Sequence, residues 1–85
     1  MALSPQRIVY VLKNAEVPPR HYTGLTSDLA ARLAVHNRGG CFHTAKHRPW
    51  VVDVVVKFAD EDRAVKFEKY LKSGSGSAFA LRHLR

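Results

Sequence analysis

Tyr22-Thr-Gly-Leu-Thr-Ser-Asp-Leu-Ala-Ala-Arg-Leu-Ala-Val-His-Asn37 holds two kinds of structure joined at one point. Its first part belongs to a β-type run from His21 to Leu25. Thr26 or Ser27 then offers a hydroxyl to cap a helix, and Asp28 suits the electropositive first turn. The helix places Leu29, Arg32, Leu33 and His36 on one stripe, three and four residues apart. A core-facing stripe ordinarily carries apolar side chains alone. Here a guanidinium and an imidazole share it, and a charge removed from water needs a partner. The stripe therefore predicts a lined site. The plainer reading is an amphipathic helix whose Arg32 and His36 lie at the edge and reach solvent.

Upstream, Arg7-Ile-Val-Tyr-Val-Leu-Lys13 is rich in β-branched residues and predicts a strand. Both faces, Ile8/Tyr10/Leu12 and Val9/Val11, are apolar, so the strand is expected to be central. Asn14 to Pro19 forms a turn, because Pro18-Pro19 cannot donate to a ladder. The second strand, Arg20 to Leu25, completes a hairpin. Gly24 weakens it unless another group must approach closely there.

Downstream, the helix runs from Asp28 to about Arg38, where Gly39-Gly40 supply a stop. A loop of about a dozen residues, Arg38 to Pro49, follows, at a length where loops tend to be functional. It carries Arg38, Lys46, Arg48, His43 and His47. In the next strand Trp50, Val52, Val54, Val56 and Phe58 alternate with Val51, Asp53, Val55 and Lys57. Asp60-Glu61-Asp62 opens a second helix, with Lys69 and Lys72 near its negative end. Glu68 falls within its core stripe of Ala64, Phe67 and Leu71. Ser73-Gly-Ser-Gly-Ser77 reads as a helix breaker, followed by a short helix from Ala78 to Leu84. The order β-β-α-β-α plus a small third helix predicts an α+β domain over residues 1–85: a three-stranded antiparallel sheet flanked by helices.

Eighty-five residues with 46% hydrophobic content fit one globular domain. A chain this short buries about 60% of its unfolded surface, so its core is small. Fourteen Lys and Arg against seven Asp and Glu give a formal charge of +7 and a pI near 10.1. That excess favours a polyanion, and nucleic acid is the commonest. No long basic amphipathic helix points to a membrane surface. One cysteine excludes an internal disulfide and suits a reducing cytosol, so a cytoplasmic location is expected. No apolar run approaches membrane length, and the opening residues Met1 to Arg7 lack the apolar core of a signal peptide.

Polar residues intrude on several apolar stripes: Tyr10 and Tyr22 on the strands, Arg32 and His36 on the first helix, Glu68 on the second. Singly, each has a structural explanation, a rim tyrosine or a satisfied acid. Together, two phenols, a guanidinium, an imidazole and one carboxylate suit phosphodiester hydrolysis. The carboxylate would hold Mg²⁺, the guanidinium would stabilise charge on phosphate oxygens, and a phenol or imidazole would orient or deprotonate water.

The sequence resembles the GIY-YIG nuclease family, in its small single-domain, excinuclease-like form. The matching residues are Ile8-Val9-Tyr10 for the first motif and Tyr22-Thr23-Gly24 for the second. Thr26-Ser-Asp-Leu29, Arg32 and His36-Asn37 follow at the family's spacing. Further on come Arg48-Pro49-Trp50, Glu68-Lys-Tyr-Leu-Lys72, Gly74-Ser-Gly76 and Ala78-Phe79. The match runs from about Arg7 to Phe79.

The resemblance implies a Mg²⁺- or Mn²⁺-dependent DNA endonuclease, structure-selective and engaged in repair or processing. It further implies roles. Tyr22 acts on the water, as base or orienter, and Tyr10 lines the site and holds phosphate or water. Arg32 binds the scissile phosphate, His36 assists proton transfer, and Glu68 binds the metal. Gly24 lets backbone approach, and Lys46 and Arg48 contact DNA phosphates. No small-molecule cofactor is implied. Two departures stand out. Ile8 occupies the place of the motif's leading glycine. No Asn follows Asn37, where many members carry one beyond the metal-binding Glu; only Ser73, Ser75 and Ser77 are available.

Cys41, His43, His47 and His36 fit no standard zinc spacing. Two alternatives to the nuclease remain. One is a nucleic-acid-binding module on the same fold without appreciable turnover. The other is a small basic RNA-associated protein in which the polar intruders are structural and Arg32 pairs with Glu68. A chain occupied by this one domain has no second module to read base edges, so binding is expected to be sequence-independent, with selection by DNA shape or a partner protein.

Overall fold

A computed structural model of the chain describes residues 5–84. Met1–Ser4, part of the segment considered for a leader, and Arg85 lie outside the described residues. The elements are β1 (Ile8–Lys13), β2 (His21–Thr26), α1 (Leu29–Asn37), a 3₁₀ turn (Ala45–His47), β3 (Val51–Lys57), α2 (Glu61–Leu71) and α3 (Gly74–His83). The strands form one antiparallel sheet in the order β2-β1-β3, with β1 central as its two apolar faces require. Among the described residues, no helix is long and apolar enough to cross a membrane.

The two faces of β1 build two cores. Val9 packs with Ala64 and Leu71 of α2 and Ala80 of α3, supported by Leu25, Phe58, Phe67 and Phe79. Tyr10 and Leu12 pack with Trp50, Tyr22, Val52 and the α1 residues Leu29 and Leu33. Helices therefore cover the sheet on both sides, α1 over the tyrosine face and α2 and α3 over the other.

Four local features depart from the sequence reading. Asp28, and neither Thr26 nor Ser27, caps α1: its carboxylate accepts from the Ala31 N–H at 3.0 Å. Thr26 instead braces that cap, its Oγ1 accepting from the Asp28 N–H at 3.1 Å. β2 begins one residue later than expected and extends to Thr26.

The strict alternation expected of β3 is broken at Asp53. Val54 lies opposite Val11, yet Val52 lies opposite Leu12, so one β3 residue is extra. The bulge sends Trp50 and Val52 to the tyrosine face, while Val54 and Val56 face Val11 and Val9. Asp53 itself sits 3.6 Å from Lys13 and 3.7 Å from His21.

The Ser-Gly run is no breaker. Ser73 caps α3, its Oγ accepting from the Gly76 N–H at 3.1 Å, and the helix starts at Gly74. A Cβ at Gly76 would run into the Tyr70 carbonyl and Leu71, so glycine lets α3 meet the end of α2. Close helix packing there outweighs glycine's poor helix propensity.

α1 ends as its glycines predict. Gly39 has φ +83°, its N–H reaches the His36 carbonyl at 3.2 Å, and the Gly40 N–H reaches Val35 at 2.9 Å.

The chain from Arg38 to Pro49 is bound down at several points. Asn37 exchanges two hydrogen bonds with the Trp50 backbone, at 2.7 and 2.9 Å. The Trp50 indole donates to the Thr44 carbonyl at 2.9 Å. Asn14, in the hairpin turn, donates to the His47 carbonyl at 3.1 Å.

Candidate active site

β1 and β2 present Tyr10 and Tyr22 on one face, and α1 lays Arg32 and His36 across them. Tyr10 lies directly opposite Gly24 in the ladder. A Cβ at Gly24 would overlap the Tyr10 phenol, so the group that approaches closely at this glycine is a side chain of the protein itself. Tyr10 is only 1% exposed and His36 0% exposed.

The Tyr10 hydroxyl and His36 Nε2 are 2.9 Å apart. On the other side of the ring, His36 Nδ1 lies 2.8 Å from Thr44 Oγ1. The imidazole is thus neither at the solvent edge nor loose in the core. It is a buried group with both nitrogens engaged. The Tyr22 ring stands edge-on to His36, with centroids 4.9 Å apart, and 6.4 Å from Tyr10.

Arg32, half-buried, lies close enough to the Tyr10 phenol for each to shift the other's ionisation. Glu68 comes from α2, whose apolar stripe packs against the far face of the sheet. Its carboxylate holds Lys72 at 2.6 Å, and the Lys72 ammonium lies 5.9 Å from the Tyr22 ring centroid. The pairing of Arg32 with Glu68 expected for a purely structural role is therefore absent. Glu68 pairs with Lys72, and Arg32 lies beside Tyr10. Tyr10 and His36 pack near the Tyr22 ring, and Arg32 and Glu68 are near enough to act on its phenol electrostatically.

Electrostatics keeps the two phenols and the imidazole of this cluster uncharged. Burial raises the Tyr10 phenol above its ordinary value, against the lowering pull of Arg32. Burial likewise raises Tyr22, helped by the nearby Cys41 and Glu68 and opposed by Arg32. His36 is lowered, first by burial and then by the Arg32 charge, so its imidazole is neutral near pH 7. Cys41 is raised by burial. Hydrogen bonds from the Thr44 hydroxyl and the His43 and Thr44 N–H groups, with the Arg32 charge, more than reverse this, and the thiol ends below its ordinary value.

Lys46 and Arg48 lie apart from this cluster, exposed on the 3₁₀ turn and just after it. Arg48 is held in place: its Nε donates to the Ala45 carbonyl at 2.8 Å, and its guanidinium lies over Gly39. His47 is taken up by Glu16 at 2.9 Å. Among the described residues, no group of three or more His, Cys, Asp or Glu is placed to hold a metal ion, so Cys41 and the histidines form no zinc site.

Three neighbours of the cluster carry little signal in the sequence. Thr44 is a loop threonine eight residues beyond His36. Cys41 precedes it in the same turn. Lys72 reads as an ordinary cation at a helix end, and only its i,i+4 spacing from Glu68 marks the ion pair.

Residues 6–81 match the family model described as the GIY-YIG catalytic domain, and the chain belongs to that family. Among curated proteins, it is 37% identical over 82 residues to the structure-specific endonuclease subunit SLX1 of Malassezia globosa, covering 92% of this chain and 18% of that protein. It is also 37% identical over 83 residues to the structure-specific endonuclease subunit SLX1 of Candida dubliniensis, covering 89% of this chain and 28% of that one. The chain thus spans less than a third of the length of either relative. No solved structure gives a significant match.

Proposed function

We propose that this domain hydrolyses phosphodiester bonds in DNA with the help of a divalent cation, choosing substrates by shape. The observation that carries this reading is the gathering of Arg32, the Tyr10–His36 pair and Glu68 around Tyr22. A cation able to bind phosphate, a phenol able to orient water and a carboxylate would then serve one small region.

The donor set suits Mg²⁺ or Mn²⁺. Glu68 is a single hard oxygen ligand, and Mg²⁺ commonly takes one or two carboxylates, with water and substrate phosphate completing its shell. A cation bound there supplies Lewis-acid charge to the scissile phosphate. Arg32 would grip the non-bridging oxygens, most strongly as charge develops on them. Tyr22 is a neutral phenol, so it would orient the attacking water by hydrogen bonding rather than enter the reaction already ionised. Tyr10, buried against His36, would hold Arg32 and transmit the position of the imidazole. His36, neutral and with Nε2 on the Tyr10 hydroxyl, would act through Tyr10.

Shape selection is supported by the relatives, which are named as structure-specific endonuclease subunits. That word also supports a partner protein for this chain. Phe42, 85% exposed in the turn that carries Cys41 and Thr44, offers a ring to an unstacked base. Lys46 and Arg48, exposed further along the same segment, would meet phosphates.

The second reading is DNA binding without turnover. It is favoured by Lys72, which occupies the Glu68 carboxylate, and by the missing downstream Asn. One assay separates the two: duplex, nicked, flapped and four-way DNA incubated with Mg²⁺ or Mn²⁺, wild type against Glu68→Ala. The proposal expects metal-dependent cleavage, strongest on branched substrates and lost in Glu68→Ala with binding retained. Binding to all four substrates without cleavage would establish the second reading.

A further inference from the structure

We propose that Thr44 is a positioning residue for the cluster, fixing the ring proton of His36 on Nδ1 so that Nε2 accepts from Tyr10. Thr44 is 0% exposed, a polar side chain sealed in a small domain. Its hydroxyl has one proton and faces three groups: His36 Nδ1 at 2.8 Å, the Cys41 carbonyl oxygen at 3.4 Å and the Cys41 thiol. A carbonyl oxygen can only accept, so in the proposed arrangement the hydroxyl proton goes to Cys41 rather than to the ring. What Thr44 turns towards His36 is then a lone pair, and only an N–H on Nδ1 completes that contact.

The far end of the chain imposes the same tautomer. Arg32, beside the Tyr10 phenol, has donors alone and so can offer the Tyr10 oxygen only N–H groups, never an acceptor. The Tyr10 proton is left for His36 Nε2, which must be bare to receive it at 2.9 Å. The direction of donation runs from Arg32 through Tyr10 and His36 to Thr44 and Cys41. If the ring proton moved to Nε2, it would meet the Tyr10 proton, and Tyr10 would have to turn away from one of its partners.

The turn holds Thr44 rigidly. The Thr44 and Ala45 N–H groups close on the Cys41 carbonyl at 3.2 and 3.0 Å, and the Trp50 indole fixes the Thr44 carbonyl. Trp50 is therefore more than core filling, since it anchors the turn that sets the histidine.

The catalytic consequence rests on the nuclease reading above; the tautomer itself does not. The test begins with ¹⁵N-labelled protein free of DNA and metal, observing the His36 ring nitrogens by long-range ¹H–¹⁵N NMR. Wild type and Thr44→Ser are expected to show a protonated Nδ1 and a bare Nε2. Thr44→Val keeps the shape and removes the hydroxyl, and should lose the single tautomer. In cleavage assays Thr44→Val should lower kcat about 10- to 100-fold, by analogy with the loss of hydrogen-bond partners that orient metal-bound histidines. Its affinity for duplex DNA should change little, and Thr44→Ser should restore kcat. A wild-type ring protonated on Nε2 overturns the proposal without any variant. So does a folded Thr44→Val protein whose His36 signals and kcat match wild type. Should wild type cleave no DNA at all, the nuclease reading fails, while the NMR result still decides the role of Thr44.

Discussion

His36 shows how burial converts a histidine into a stability device with a definite pH range. Its folded-state value lies below the ordinary 6.5, from burial first and the Arg32 charge second. The unfolded chain therefore binds the extra proton more readily, and stability falls as pH drops below about 6.5 towards the depressed folded value. Thermal denaturation should show Tm starting to decline in that range, before carboxylates titrate, and His36→Gln should remove this upper limb. Glu16, lowered chiefly by its hydrogen bond to His47, works in the same direction but only below its ordinary value of 4.5. A Tm for wild type that stays level from about pH 7 to pH 5 would contradict the role given to His36. At this scale the sequence was informative wherever spacing carried the message. Arg32 and His36 declared themselves by sitting on an apolar helical stripe. Thr44 had no such voice, because a hydroxyl residue in a loop breaks no pattern; only the fold reveals that it is sealed against His36.

Among the elements, α3 is the sharpest lesson in propensity against packing. Two glycines and three serines between 73 and 77 argue locally for a stop. The chain makes one of those serines a cap and uses one glycine where two helices meet. Gly76→Ala should accordingly be destabilising even though alanine is the better helix former. The added methyl meets the Tyr70 carbonyl and Leu71, and overpacking of this kind costs about 1–3 kcal/mol. Gly74→Ala, where nothing lies within 4 Å, is the control. Urea midpoints should separate the two variants, and equal midpoints would mean that α3 is not tightly docked. The strands and α1 were legible because valine-rich alternation and a three–four stripe are strong periodic signals. The bulge at Asp53 was not, because one extra residue in a run of valines leaves the local pattern intact while reversing which face each side chain takes.

For the molecule as a whole, the charge of +7 sets the terms of its dealings with DNA. Under the proposed function, exposed cations such as Lys46 and Arg48 would meet phosphates, which position a protein without reading sequence. With about four phosphates neutralised, log affinity against log salt should fall with a slope near −3.6 on duplex DNA. Lys46→Ala together with Arg48→Ala should bring the slope to about −1.8 and weaken all sequences alike. Competition titrations at several salt concentrations would show this, and a strong preference for one base sequence regardless of substrate shape would contradict it. The overall architecture was readable from the order of elements, whereas the close seating of the Arg38–Pro49 segment was not, since its bonds join residues far apart in the chain. The valine edge of β3 adds a practical consequence. Val51 and Val55 are 53% and 39% exposed on a strand paired to β1 on one side only, and such an edge is a template for another chain. Mutual repulsion between like-charged copies guards it in dilute buffer. At 1 M salt the Debye length shrinks to about 3 Å, so the wash that strips nucleic acid from the protein also removes its colloidal protection.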